Sequence, residues 1–133
     1  MKLGSNNTKS NRFLAGTDEQ RAEDIMKFFQ DPEVDVLLAT NGGAGSIRTL
    51  TLLDYEIIRN NPKPIVGFSD TTSLQLGIYS QTNLKSLTGF TCRDIEESDE
   101  LDSLLEDSFV NCILNNNYDV IGGETVNSGI VTA

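Results

Sequence analysis

The stretch from Pro62 to Ser80, PKPIVGFSDTTSLQLGIYS, leaves this chain few ways to fold. Pro64-Ile65-Val66-Gly67-Phe68 is an apolar run of strand length, and apolar residues recur at helical spacing from about Thr71 onward. A buried strand that turns within a few residues into a helix is the βα unit of α/β proteins. Ser69 stands at the bend, with Gly67 two residues before it and Asp70 directly after it. A serine there is held above the sheet, near the first N–H groups of the helix, which lack intrahelical partners and attract anions. This is the logic of a nucleophile elbow, with Thr71 in place of the second glycine of G-x-S-x-G. Ser-Asp ahead of a helix is also the composition of an ordinary N-cap, and the spacing alone leaves both readings open.

The rest of the chain repeats the alternation of helix and strand. Residues 1–16 carry the turn formers Gly4, Asn6, Asn7 and Asn11 and no opening strand. Thr17-Asp18-Glu19-Gln20 reads as a capping box, and Ala22, Ile25, Met26 and Phe29 follow on one helical stripe that Asp31-Pro32 ends. Val34–Ala39 is an apolar strand, and the turn Thr40-Asn41-Gly42-Gly43-Ala44-Gly45-Ser46 follows it. One continuous helical face is expected next, through Ile47, Leu50, Leu53 and Ile57. A glycine-rich turn at the carboxyl end of a strand is where α/β proteins bind ligands, and its glycines let the backbone come close to a substrate oxygen. It is neither G-x-G-x-x-G nor a Walker loop, so a plain structural turn stays open beside an anion-binding one. Beyond Ser69, Leu74, Gly77 and Ile78, with Leu76 beside them, mark the packed face of a helix. A strand is expected near Leu84–Thr88, a helix through Leu101, Leu104, Leu105, Phe109 and Ile113, and strands at Tyr118–Ile121 and from Gly129. The fold class is α/β with a mostly parallel sheet flanked by helices.

Composition removes several function classes. The 133 residues, 38% hydrophobic and 23% charged, fit a globular domain with a real core. A net charge of −10 argues against nucleic acid, whose binding rests on lysine and arginine. No apolar run reaches the roughly 18 residues of a membrane span. MKLGSNNTKSNRF lacks the apolar segment of a signal peptide, so no membrane partner and a cytoplasmic location are expected. Eight acidic residues and no basic one lie between Asp94 and Asp107; they read as a solvated face, since their spacing does not match an EF-hand loop. Cys92 and Cys112 form no C-x-x-C pair and read as thiols at least partly buried. Histidine is absent, which excludes a Ser-His-Asp triad within the chain and any His-ligated metal. No metal and no cofactor are expected.

Taken together, FLAGTDEQRAEDI at 13–25, ATNGGAGS at 39–46, LLDYEIIRNNPKPIVGFSDTTSLQLGIYSQTNL at 52–84 and TGF at 88–90 resemble the LD-carboxypeptidase family of serine peptidases, which includes the microcin C resistance proteins. The resemblance implies a flavodoxin-like N-terminal nucleophile domain over 1–117 that lacks its first strand. Residues 118–133 are then a linker and the start of a C-terminal partner domain. It implies Ser69 as nucleophile, the amides of Gly43 and Asp70 as the oxyanion hole, and Asn41, Gly42 and Thr71 as substrate contacts. The family's glutamate and histidine belong to the C-terminal domain, so these 133 residues alone are expected to be inactive. The implied activity is removal of D-alanine from murein tetrapeptide in peptidoglycan recycling, or hydrolysis of a peptidyl-nucleotide amide of the microcin C type. The implied partner is a small peptide substrate, with a homodimer for the complete enzyme. Asn41 stands where many members have arginine, and Thr88-Gly89-Phe90 where they often have His-Gly-Pro. From the residues themselves, a module that holds a carboxylate without turning it over remains the alternative.

Overall fold

The computed structural model describes residues 1–93. The helix and strands expected between Leu101 and Ala133, the acidic run, Cys112 and the domain boundary at 117/118 lie outside the described residues. The element order is α1 (Asp18–Gln30), β1 (Leu37–Leu38), α2 (Ser46–Thr49) with a 3₁₀ turn at Leu50–Leu52, α3 (Tyr55–Asn60), β2 (Ile65–Gly67), α4 (Thr71–Thr82) and β3 (Leu87–Thr88). The strands form one parallel sheet in the order β1-β2-β3, with Leu37 opposite Ile65, Leu38 opposite Val66 and Gly67 opposite Thr88. This is the expected α/β class, a small parallel sheet flanked by helices.

Helix α1 begins where the capping box predicts: Thr17 Oγ1 accepts from Gln20 N–H, and Gln20 Oε1 accepts from Thr17 N–H. Its other end is held by a residue 32 positions away. Lys63 is buried, and its Nζ donates to the carbonyls of Phe28, at 2.7 Å, and Asp31. These belong to the helix end, where carbonyls lack intrahelical donors and a cation is favoured. Ahead of α1, Asn6 is buried by its bonds to Asp24 and to the Gln20 carbonyl, which strap the irregular N-terminal segment onto the helix.

The core gathers on the face of the sheet that Leu37 and Ile65 present. Ala22 and Phe29 of α1, Leu53, Ile58 of α3, and Leu74 and Ile78 of α4 complete it. Phe29, Ile58 and Ile78 are fully buried, each contributing about 1.5–3 kcal/mol. Gln75 is the polar member of the α4 face. Its Nε2 donates to the carbonyls of Ile65 (3.1 Å) and Leu87 (2.8 Å), and its Oε1 accepts from Thr88 Oγ1 (2.6 Å), so it ties β2 to β3.

Three expectations change. The single helix expected through Ile47, Leu50, Leu53 and Ile57 is two, because Leu53 turns extended and Asp54 caps a new helix, accepting from Glu56 and Ile57 N–H. The restart resets the helical phase, so Ile58 and not Ile57 is fully buried, and Ile47 in α2 is 62% exposed. The strands are shorter than Val34–Ala39 and Leu84–Thr88, because among the described residues each pairs only with β2, which is three residues long. Leu76 faces solvent, and the packed stripe is Thr71, Leu74, Gln75 and Ile78, spaced i, i+3, i+4, i+7.

Replacing Lys63 by methionine is expected to lower stability by about 2 kcal/mol, since two helix-end carbonyls lose a charged donor. Urea denaturation reads this, and an unchanged midpoint would show that the lysine is not a cap.

Candidate active site

Strand β2 ends at Gly67 for a steric reason. A Cβ there would lie 2.5 Å from Thr71 Cγ2 and 3.2 Å from Ala39 Cβ, so only glycine lets α4 begin this close to the strand. Phe68 is exposed, and Ser69, also exposed, takes φ +60°, left-handed backbone that a non-glycine residue rarely adopts. Asp70 returns to helical angles and α4 follows. Strand, left-handed serine, helix is the backbone of a nucleophile elbow.

The amides around the serine are mostly used internally. Thr71, Thr72 and Ser73 N–H donate to the carbonyls of Phe68, Ser69 and Asp70, so the start of α4 is less open to an anion than a bare helix end. Asp70 N–H donates to no acceptor among the described residues. Nor does the Asp70 carboxylate cap its own helix. Its Oδ2 accepts from Ser46 N–H at 2.8 Å, the first amide of α2, whose own cap residue Gly45 offers no side chain. The N-cap reading of Ser69-Asp70 therefore fails for α4, and the carboxylate caps the neighbouring helix instead.

That bond brings the glycine-rich turn against the elbow. A Cβ on Gly42 would lie 2.9 Å from Ser69 Cβ and 3.3 Å from Ser69 Oγ, so the turn crosses directly beside the serine. Gly42 N–H donates to Asn41 Oδ1 at 2.9 Å, which directs the Asn41 side chain onto its own turn. Gly43, at φ +120° with open space where a side chain would be, keeps an amide that donates to no acceptor among the described residues. Thr71 is buried, with its methyl against Gly67. Of the residues expected at the site, the structure thus brings Ser69, Gly42 and Asp70 together, places Asn41 and Gly43 in the adjoining turn, and sets Thr71 beneath the elbow.

Residues that local sequence did not single out hold the turn from behind. Arg21 donates to the carbonyls of Gly16 (3.0 Å) and Gly45 (3.3 Å) and pairs with Asp18, which also meets Arg48 Nε at 3.1 Å. Desolvation pushes the Asp18 carboxyl up, but the hydrogen bonds and charges of Arg48 and Arg21 outweigh it and hold it below the usual aspartate value. The chain after β3 passes over the end of β1, with Cys92 N–H on Ala39 O and Arg93 N–H on Thr40 O. Two surface hollows, of about 500 and 290 Å³, are lined by other residues and include neither Ser69 nor the turn glycines. Among the described residues no helix is long and apolar enough to cross a membrane, and no three potential ligands cluster around a metal position.

The profile of the LD-carboxypeptidase N-terminal domain matches residues 1–89. The chain belongs to the LD-carboxypeptidase family. A relative from Vibrio cholerae is 43% identical over 86 residues, 65% of this chain and 26% of that protein. The microcin C7 self-immunity protein MccF of Escherichia coli is 38% identical over 81 residues, 61% of this chain and 24% of MccF. A solved structure of MccF in complex with aspartyl sulfamoyl adenosine superimposes with a TM-score of 0.77 at 30% identity, covering 90% of this chain and 35% of that one. The muramoyltetrapeptide carboxypeptidase of Oxalobacter formigenes superimposes with a TM-score of 0.70 at 25% identity, covering 77% and 36%. The chain thus spans about a quarter of the length of the curated relatives it matches.

Gly67→Ala is expected to cost about 1–3 kcal/mol, because the added methyl meets the Thr71 side chain and α4 must move; a melting curve like that of the wild type would contradict this close approach. A pH dependence follows from Asp18. Its pKa is lowered on folding, so its contribution is fully present above the unfolded value of about 3.9 and is lost as pH falls through the folded value. The stability difference between wild type and Asp18→Asn is therefore expected to be constant above about pH 5 and to shrink below about pH 4. A difference that grows on acidification would reverse the sign.

Proposed function

We propose that this chain supplies the nucleophile and the oxyanion donors of a serine-type amide hydrolase in the LD-carboxypeptidase family. The observation that carries the reading is Ser69 at φ +60°, exposed between β2 and α4 beside Gly42. Ser69 Oγ attacks the amide carbonyl, and the N–H groups of Asp70 and Gly43 take the charge that develops on its oxygen. Losing one such donor costs about 10²–10³ in rate in a well-studied protease. The chain contains no histidine, so the proton of Ser69 passes either to a lysine or to a base outside these 133 residues, and the family resemblance favours the second. By family resemblance that base is a histidine oriented by a glutamate, and the chain alone is expected to turn over little. The substrate under this reading is a small peptide, the murein tetrapeptide from which a terminal D-alanine is released. The closer structural likeness to MccF favours a peptidyl-nucleotide amide as the second candidate.

The elbow can be tested without the missing base. In p-nitrophenyl acetate with imidazole as an external base, Ser69 is expected to acetylate at least about tenfold faster than other serines, a modest share of the 10²–10⁴ that positioned base catalysis yields. Peptide mass spectrometry gives the rate at each serine, and Ser69→Ala removes the fast site. Acetylation of Ser69 no faster than that of the exposed Ser5 and Ser80 would overturn the nucleophile assignment and favour a carboxylate-binding module.

A further inference from the structure

We propose that Arg12, Phe13 and Arg48 form a second binding site, separate from the Ser69 elbow, for a small aromatic compound that carries a compact oxyanion. Asn11 and Leu14 exchange both backbone hydrogen bonds, at 2.8 and 3.1 Å, which makes Arg12-Phe13 the two-residue loop of a tight hairpin. Arg12 sits at φ +60°, at the loop position where such turns strongly prefer glycine. An arginine there carries strain that glycine would not. The turn is held by its backbone bonds and by Ser10 Oγ on the Arg12 carbonyl, while the Arg12 guanidinium makes no hydrogen bond or ion pair among the described residues. Phe13 beside it is 79% exposed, which leaves an aromatic face in water.

These two side chains and Arg48 line a hollow of about 290 Å³, together with Asn11 and Leu14. Arg48 is held in place by one edge, its Nε on Asp18, which leaves its terminal nitrogens for another acceptor. Arg21 pairs with the same carboxylate. Arg21 and Arg48 thus share one aspartate, and Arg12 lines the hollow beside Arg48, which gathers positive charge locally in a protein whose net charge is −10. Guanidinium groups with free N–H donors at a concave surface attract an anion locally, against the overall negative charge of the chain. Guanidinium forks match the oxygen geometry of phosphate or carboxylate, and the exposed ring adds a flat apolar wall. Backbone strain retained at an unpaired charge is what a ligand clamp shows.

The test is a nuclear magnetic resonance titration of the full 133-residue chain at low ionic strength, with inorganic phosphate, phenyl phosphate and benzyl alcohol as separate probes. Phosphate and phenyl phosphate are expected to shift the amides of Asn11–Leu14 and the Nε–H of Arg48. Phenyl phosphate is expected to bind about threefold or more tightly than phosphate, and benzyl alcohol not to bind. Arg12→Gln is expected to weaken phenyl phosphate about tenfold or more. Arg12→Gly is expected to weaken it equally while raising the urea midpoint, because glycine relieves the left-handed turn. Binding that survives both substitutions, shifts that gather at Ser69–Thr72 instead, or no shift with either phosphate would overturn the proposal. A rise in the Arg12→Gly midpoint together with lost binding separates a ligand site from a merely structural arginine.

Discussion

The hydrogen bond from Ser46 N–H to Asp70 Oδ2 joins the glycine-rich turn to the loop that carries Ser69. One loop follows β1 and the other follows β2, and parallel strands place both at the same end of the sheet. Each is weak alone. The first is rich in glycine and has no side chain to cap α2, and the second forces a serine into left-handed backbone. A carboxylate reaching from the second to the first amide of α2 satisfies a helix end and fixes the loops against each other. The separation is then limited by contact at Gly42, where no Cβ fits beside Ser69.

The polar contacts of the turn occupy some of its amides and leave others, Gly43 and Asp70 N–H among them, without an acceptor among the described residues. Asn41 takes Gly42 N–H, Asp70 takes Ser46 N–H, and Arg21 holds the Gly45 carbonyl. The first amides of α4 are taken by the carbonyls just before them. The start of α4 is therefore less open to an anion than a bare helix end. The scaffold beneath is stiffened by similar long-range polar bonds. Lys63 closes the end of α1 and Gln75 bridges β2 and β3, each from within or beside an apolar core where leaving such groups unpaired costs stability.

Much of this was legible locally. The capping box of α1, its stop at Asp31-Pro32, the turn from Ile65–Gly67 into α4 and the glycine-rich turn all rest on residues within one or two helical turns of each other. Legibility failed where a local device overrode periodicity. The apolar spacing of Ile47, Leu50, Leu53 and Ile57 suits a single helix, yet Asp54 captured two amides and began another. It failed again at the strand ends, since ladder length is set by the partner, and β2 is extended over only three residues.

By itself, then, the sequence determined the α/β alternation, the glycines and serine at the two strand ends, and, by having no histidine, that no complete serine triad exists within these residues. Periodicity, capping preference and composition are properties of neighbouring residues, so they survive being read one residue after another. Only the tertiary structure decided that Ser69 is left-handed, that Asp70 caps α2 and not α4, and that Arg12, in left-handed backbone, lines a hollow with Arg48. The Asp70 cap and the meeting of Arg12 with Arg48 depend on which loops the fold brings together, 24 and 36 positions apart, and no local pattern records such a distance.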